Sequence, residues 1–333
     1  MNGSRKPQVR TPSAHIEPPN TLAMTTQESM DHLDIALVGL AKRLGTPNKL
    51  AHGLVKARRS IVHADDVFRR RRLAATLPQD SSFRGFIDQA SGYRMLDPGA
   101  LPSAKAAVAA SLQIFKDKGG IDAVTGGKKP FFVNILDDGD VEAHPELLDF
   151  VLSPEVAEAV TDYFGTIPRL KCMGIFVSMA NEMTESSQLF HVDNDDFRQL
   201  KCFINLVETG AEQGAFTFLP AQTTRAALQK LKHPWGFGRF SDEDVGSVTD
   251  LSDAIVLTGS VGSGAFVDTS RCLHYGSRAR RGYRLVLMFN YMPFPDLKMN
   301  KGMFDMPGMP LFRIPSSRFK DDPLRRTLLG REN

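Results

Sequence analysis

The sequence predicts an α+β protein in which a mainly helical N-terminal half packs on a β sandwich or barrel. Apolar residues recur at helical spacing before about residue 165, and short strand-like runs divided by Gly, Ser and Asp follow from 166 onward. No linker-like stretch separates the two halves, so they are expected to share one core.

Residues 1–28 are polar and Pro-containing, without a periodic apolar face, and read as a disordered tail. Residues 29–165 read as a mainly helical region packing on the core, interrupted by the turn-rich "LPQDSS" and "MLDPGALPS". Within it "PFFVNIL" (130–136) reads as a short buried strand. The stretch "HPELLDFVLSPEVAEAVTDYFG" reads as helix with Pro145 as its first residue, broken in two at Pro154. Residues 166–295 form the β core, with strands in "CMGIFVSMA", "LFHVD", "LKCFINLV", "AFTFLPA", "AIVLTG", "GAFVDTS", "CLHYG" and "YRLVLMFNYM". Residues 222–250 interrupt it as a short helix and a mobile, Gly-bearing loop, long enough to suggest a functional lid. Residues 296–333 are a C-terminal extension.

Composition narrows the function classes. Apolar residues make up 42% and charged residues 24% of the 333, as in an ordinary globular protein. No run approaches the roughly 18 apolar residues of a membrane span, and no apolar signal segment opens the chain, so a cytoplasmic protein is expected. Cys172, Cys202 and Cys272 lie in or beside strand-like sequence and read as buried free thiols of a reducing compartment. A formal charge of +3 is too small to imply a nucleic-acid partner. The clusters "KARR" (56–59) and "RRRR" (69–72) are read as solvated helix faces; a nucleic-acid-associated protein using them is an alternative.

The stretch "LFHVDNDDFRQLKCFINL" (189–206) carries the chemistry. Eight His and 38 acidic residues would give about one His-x-acid triplet by chance. There are five, beginning at His15, His32, His63, His144 and His191. Residues i and i+2 share a face only in extended chain, so only an extended triplet readily closes on one ion. His32, His63 and His144 belong to helix-like sequence and His15 to the Pro-rich tail. His191-x-Asp193 alone lies between strands. His274, in "FVDTSRCLHYGSRARRGYRLVLMFNY", adds a second imidazole. Two imidazoles and one carboxylate are the facial set of non-haem Fe(II) oxygenases, which leaves positions open for a bidentate co-substrate and O2. Arg284 follows ten residues later, at the start of an apolar strand, where an inward guanidinium needs an anionic partner. Its planar fork suits the distal carboxylate of 2-oxoglutarate.

His191-x-Asp193, His274 and Arg284 together resemble the Fe(II)/2-oxoglutarate-dependent dioxygenases, and within them the phytanoyl-CoA dioxygenase-like branch. "QGAFTFLPAQTTRAAL", "FVDTSRCLHYGS" and "LLDFVLSPEVAEAV" resemble segments of that branch in the same order, so the resemblance covers roughly residues 130–295. It implies a double-stranded β-helix (jelly-roll, cupin-like) core with iron between two sheets. His191, Asp193 and His274 would be the catalytic and metal-binding residues. Fe(II), 2-oxoglutarate and O2 would be the cofactor and co-substrates, and a C–H bond would be hydroxylated as 2-oxoglutarate becomes succinate and CO2. Halogenating relatives carry a small residue in place of the acid, so Asp193 points to hydroxylation, with desaturation or ring formation as variants. Relatives often have Ser two residues after the distal His; this chain has Gly276. Thr217, counted with Arg284 among the cofactor-binding residues, Ser277 and Tyr283 are the candidates to compensate.

Competing assignments stay open at this point. Arg281, and more distantly Arg271, would replace Arg284 if the strand faced the other way. Asp195 and Asp196 read as a strand end or solvated corner, Cys202 and Cys272 as core thiols, and His233, Trp235 and Phe237 as either a cover for the substrate or plain loop packing. The expected partner is a small-molecule or carrier-bound substrate, with no membrane and no nucleic acid; a catalytically silent jelly-roll binding protein is the other reading.

Overall fold

A computed structural model describes residues 34, 36–40, 43, 48–125, 131–233, 238–297 and 316–330. The expected tail at 1–28, with His15, and His32, Trp235 and Phe237 lie outside the described residues. Helices α1 (Asn48–Val62) and α2 (Ala64–Ala74) are followed by strand β1 (Tyr93–Leu96), α3 (Ala104–Asp117) and β2 (Val133–Asn134). Helices α4 (Asp138–Ala143), α5 (Glu146–Val151) and α6 (Pro154–Phe164) lead into β3 (Arg169–Met179) and β4 (Leu200–Asn205). Then come β5 (Thr217–Phe218), α7 (Ala221–Lys230), α8 (Asp242–Gly246), β6 (Ile255–Val256) and β7 (Gly264–Asp268). Strands β8 (His274–Tyr275) and β9 (Tyr283–Met292) complete the core, and α9 (Pro323–Leu328) packs behind it.

The expected break at Pro154 falls between α5 and α6. Ser153 accepts a hydrogen bond from Val156 N, Pro154 occupies the first turn where its missing N–H costs nothing, and Gly165 closes α6 at φ 71°. Pro145 stands at the start of α5 with helical φ/ψ (−56°, −24°), its carbonyl accepting from Asp149 N at 3.0 Å. Helix α6 turns Val156, Ala159, Val160 and Tyr163 inward, as its spacing predicts.

Six strands form the main sheet in the order β1-β7-β4-β9-β3-β2, and three form a smaller sheet in the order β6-β5-β8. An isolated bridge adds His191 to the free side of β8, and another adds Phe240 beside Phe190. From β3 onward the chain passes back and forth between the sheets, with β3, β4, β7 and β9 in the large one and 190–191, β5, β6 and β8 in the small one, β5 and β6 being consecutive. That is the double-stranded β-helix, or jelly-roll, connectivity. Strand β9 is buried on both faces. Leu285, Leu287, Phe289 and Tyr291 join the core shared with α3, α5 and α6, while Val286 and Met288 pack between the sheets against Phe203, Phe216 and Phe218.

Four features depart from the sequence reading. Strand β1, inside the mainly helical region, extends the main sheet by pairing Tyr93–Leu96 with Val267–Gly264. Asp195 and Asp196 are buried, not solvated. Asp196 pairs with Lys56 and accepts from the backbone of Phe197 and Leu297. The basic clusters are not simply solvated faces: Arg58 and Arg59 bind Asp34, and Arg70 is fully buried, donating to Ile167 O, Pro168 O and Thr327 O at 2.8–3.0 Å. The described part of 222–250 holds α8 as well as α7, and Val245 and Phe240 pack on Phe190 and Leu219.

Candidate metal and co-substrate site

The segment 190–193 is extended, as the i, i+2 argument requires. His191 exchanges two backbone hydrogen bonds of 2.8 Å with His274, and Asp193 N donates to Thr269 O at 2.8 Å. Phe190 and Val192 point to the outer apolar cluster with Leu273 and Tyr275. The intervening residues, His191, Asp193 and His274, therefore point between the sheets. Each offers one ligand atom, and the three atoms lie within 4.8 Å of one another. Among the described residues this is the one such His/Cys/Asp/Glu group. Asp193 Oδ1 is 3.9 Å from His191 Nε2, and Asp193 Oδ2 is 3.9 Å from His274 Nε2.

The hydrogen bonds fix the tautomers. His191 Nδ1 lies 2.8 Å from Leu189 O and His274 Nδ1 lies 2.9 Å from Cys272 O. A carbonyl only accepts, so both Nδ1 atoms donate and both Nε2 lone pairs face the acid. Burial, then for His191 the neighbouring His274, holds the imidazoles neutral, with pKa values pushed down to about 3 and about 4. Burial would raise the Asp193 carboxyl, but Lys201, His274 and His191 together keep it well below the usual carboxylate range. Two neutral imidazoles and one carboxylate, all deprotonated where they must bind, form a donor set that fits a divalent first-row metal.

Asp193 is held from behind. Lys201 Nζ donates to Asp193 Oδ2 at 2.7 Å, and Gln199 Nε2 approaches the same oxygen at 3.4 Å. Burial lowers the Lys201 pKa, but Asp193 outweighs it and the ammonium stays protonated. Neither residue was found from sequence. Lys201 stands in "LKCFINLV", and only the alternation of β4, which sends Leu200, Cys202 and Ile204 to the helical side, shows that Lys201 faces the site.

Arg284 is buried between the sheets on the same face of β9 as Val286 and Met288. Its Nη1 donates to Gly214 O at 3.1 Å, while its Nε is buried without a partner. Burial pulls its pKa down to about 10. The Ser277 hydroxyl is also buried without a partner. It adjoins the same glycine: a Cβ on Gly214 would lie 2.3 Å from Ser277 Oγ. Orphaned donors cost free energy unless a ligand completes them, and a guanidinium with a hydroxyl is a carboxylate cradle.

The other sequence candidates separate cleanly. The register Phe218↔His274 and Thr217↔Tyr275 puts Thr217 on the face away from His274, and its hydroxyl donates to Ala215 O, so Thr217 is not placed to hold the co-substrate. Tyr283 alternates with Arg284 and packs on the helical side with Phe115. Ser277 is left as the hydroxyl beside Arg284. Arg281 is mostly exposed near Glu212, and Arg271 binds Gln89 O, Tyr163 and Asp268, so neither replaces Arg284. Cys202 and Cys272 are free, buried thiols, as is Cys172. His233 packs edge-on to Phe240 in the insertion.

Among solved structures, the chain is similar to the non-heme alpha ketoglutarate dependent carbocyclase SnoK from nogalamycin biosynthesis, at 19% identity and a TM-score of 0.42, covering 66% of this chain and 86% of that one. AviO1 from Streptomyces viridochromogenes Tue57 matches at 13% identity and TM-score 0.44, over 66% of this chain and 97% of its own. EctD from S. alaskensis, solved with 2-oxoglutarate and 5-hydroxyectoine, matches at 15% identity and TM-score 0.43, over 61% and 73%. No family model and no curated protein matches.

Proposed function

We propose that the protein is a non-haem Fe(II)/2-oxoglutarate-dependent oxygenase that hydroxylates a small-molecule or carrier-bound substrate. The observation that carries this reading is the convergence of His191 Nε2, Asp193 and His274 Nε2 between the sheets, in the same inter-sheet space as a buried guanidinium lacking an acid partner. His191, Asp193 and His274 would hold the metal; Arg284 and Ser277 would hold the distal carboxylate of 2-oxoglutarate. When bound, Fe(II) with 2-oxoglutarate and O2 supplies the oxidation of an unactivated C–H bond, with release of succinate and CO2.

The chain's own residues prepare that chemistry. The carbonyls of Leu189 and Cys272 orient the imidazoles, and Lys201 pins one carboxylate oxygen while leaving the other toward His191. Phe203, Phe216 and Phe218 line the space between the sheets with apolar surface, in which a carboxylate bound at Arg284 would be held more strongly than in water. Among the described residues no helix is long and apolar enough to cross a membrane. Three free buried cysteines support a reducing, cytoplasmic setting.

The test is anaerobic reconstitution with Fe(II) and 2-oxoglutarate, reading the weak visible charge-transfer band and, on admitting O2, succinate. His191→Ala should abolish the band. Arg284→Ala should weaken 2-oxoglutarate binding by about 2–4 kcal/mol, as expected for orphaning one member of a buried charge pair. A wild-type protein that forms neither band nor succinate would sink the reading and leave a silent binding protein.

A further inference from the structure

The insertion brings a second guanidinium to the metal face. Phe240 and Phe190 exchange backbone hydrogen bonds of 2.9 and 3.0 Å in an antiparallel bridge. That register sets Arg239 directly across from His191, where cross-strand side chains meet on one face. The side chains of Phe240 and Phe190 both turn to the outer apolar cluster, so Arg239, like His191, turns the other way, toward Asp193 and His274. Its charge acts on all three of these residues. Arg239 is solvent-exposed, with a single long contact to Gly238 O at 3.3 Å, and among the described residues it has no ion-pair partner.

On the proposed reading, on which this inference rests, the charges of the loaded site can be followed. Fe(II), Asp193, the 2-oxoglutarate dianion and Arg284 cancel. Lys201, whose charge is not in that sum, is offset by the buried Asp195. Among the described residues Arg239 remains as a solvent-exposed cation without an acid partner, across from His191. A cation at a water-facing mouth costs little by itself and strongly selects the sign of what enters.

We propose that Arg239 is a specificity-determining residue: it binds an anionic group, carboxylate or phosphate, of the primary substrate and so orients it over the metal. The co-substrate carboxylates and the substrate anion share this chemistry, and the test separates them.

Anaerobic Fe(II)-loaded wild type, Arg239→Gln and Arg239→Lys are each titrated with 2-oxoglutarate. At saturating 2-oxoglutarate they are then titrated with octanoate against octanamide, benzoate against benzamide, and glycerol phosphate against glycerol. The readout is the shift of the charge-transfer band. At least one anion should bind wild type about tenfold better than its neutral partner, the difference that one charge-assisted hydrogen bond provides. Gln should erase that preference, Lys should keep part of it, and 2-oxoglutarate affinity should stay within about twofold in both. Equal binding of acids and neutral partners, no binding of any probe, or a preference unchanged in Arg239→Gln would overturn the proposal. So would a tenfold-or-so loss of 2-oxoglutarate affinity in Arg239→Gln, which would assign the residue to the co-substrate. Failure of wild type to form the band at all is a different outcome: it removes the iron reading itself, and this inference with it.

Discussion

Lys201 and Asp193 form a buried ion pair, Nζ to Oδ2 2.7 Å, directly behind the candidate metal site. A lysine there gives the carboxylate a counter-charge before any metal arrives. Lys201→Met should therefore destabilise the metal-free protein by about 3 kcal/mol, the scale for breaking a buried pair from one side. Adding Fe(II) anaerobically should recover much of that loss, because the ion supplies the missing positive charge. Chemical denaturation with and without Fe(II) measures both. Equal losses in the two forms would mean that Lys201 is only a packing element.

Gly214 and Ser277 should respond in opposite ways. Gly214 sits at φ +77°, and a Cβ there would meet Ser277 Oγ and the backbone of Ala279 at 2.3–2.5 Å. Gly214→Ala should cost about 1–3 kcal/mol of stability and also weaken 2-oxoglutarate binding, since Gly214 O anchors Arg284. Ser277→Ala removes a hydroxyl with no partner, so stability should hold or rise while 2-oxoglutarate affinity falls by about 1–2 kcal/mol. Thermal melts and co-substrate titration separate the two effects.

The thiols should be silent in the folded protein. Burial pushes the Cys172 thiol up to about 11 and raises Cys202 and Cys272 well above the ordinary value. The thiolate is the reactive form, so raised pKa values and burial both slow the reaction. A disulfide reagent at mildly alkaline pH should label none of the three in native buffer and all three in denaturant.

Within "RRRR" one arginine should dominate. Arg70 is fully buried, stacks on Phe294 and ties α2 to the carbonyls of Ile167, Pro168 and Thr327. Arg70→Ala should cost about 3 kcal/mol or more through unsatisfied carbonyls and a cavity, whereas Arg71→Ala, on an exposed position, should stay within about 0.5 kcal/mol. Urea unfolding of the pair would check this, and equal midpoints would refute it.

The grouping of His191, Asp193 and His274 was legible in the sequence because two residues apart in extended chain is itself a geometric statement, and the burial of Arg284 because a cation inside an apolar run is anomalous. The positions of the β-core strands and the break at Pro154 were legible for the same local reasons. What stayed hidden depends on facing. Thr217 lies in a strand of two residues, too short to show a period, so its outward face emerged only from the pairing with Tyr275. Lys201 and Asp196 look like ordinary polar residues until tertiary contacts supply Asp193 and Lys56. Strand β1 draws its hydrogen bonds from β7, some 170 residues away, which no local pattern encodes. The counterpart of the missing Ser at Gly276 could be narrowed only by finding which hydroxyl was left unsatisfied.

Strand β9 belongs to two environments at once. Its odd-numbered side chains from Tyr283 to Tyr291 hold the helices, and Arg284, Val286 and Met288 line the space between the sheets. A residue-by-residue scan along this one strand should therefore alternate in phenotype, lowering the melting temperature at one step and altering ligand affinity at the next. The pleat thus divides one strand between scaffold and pocket, so substitutions chosen on one face leave the contacts of the other in place.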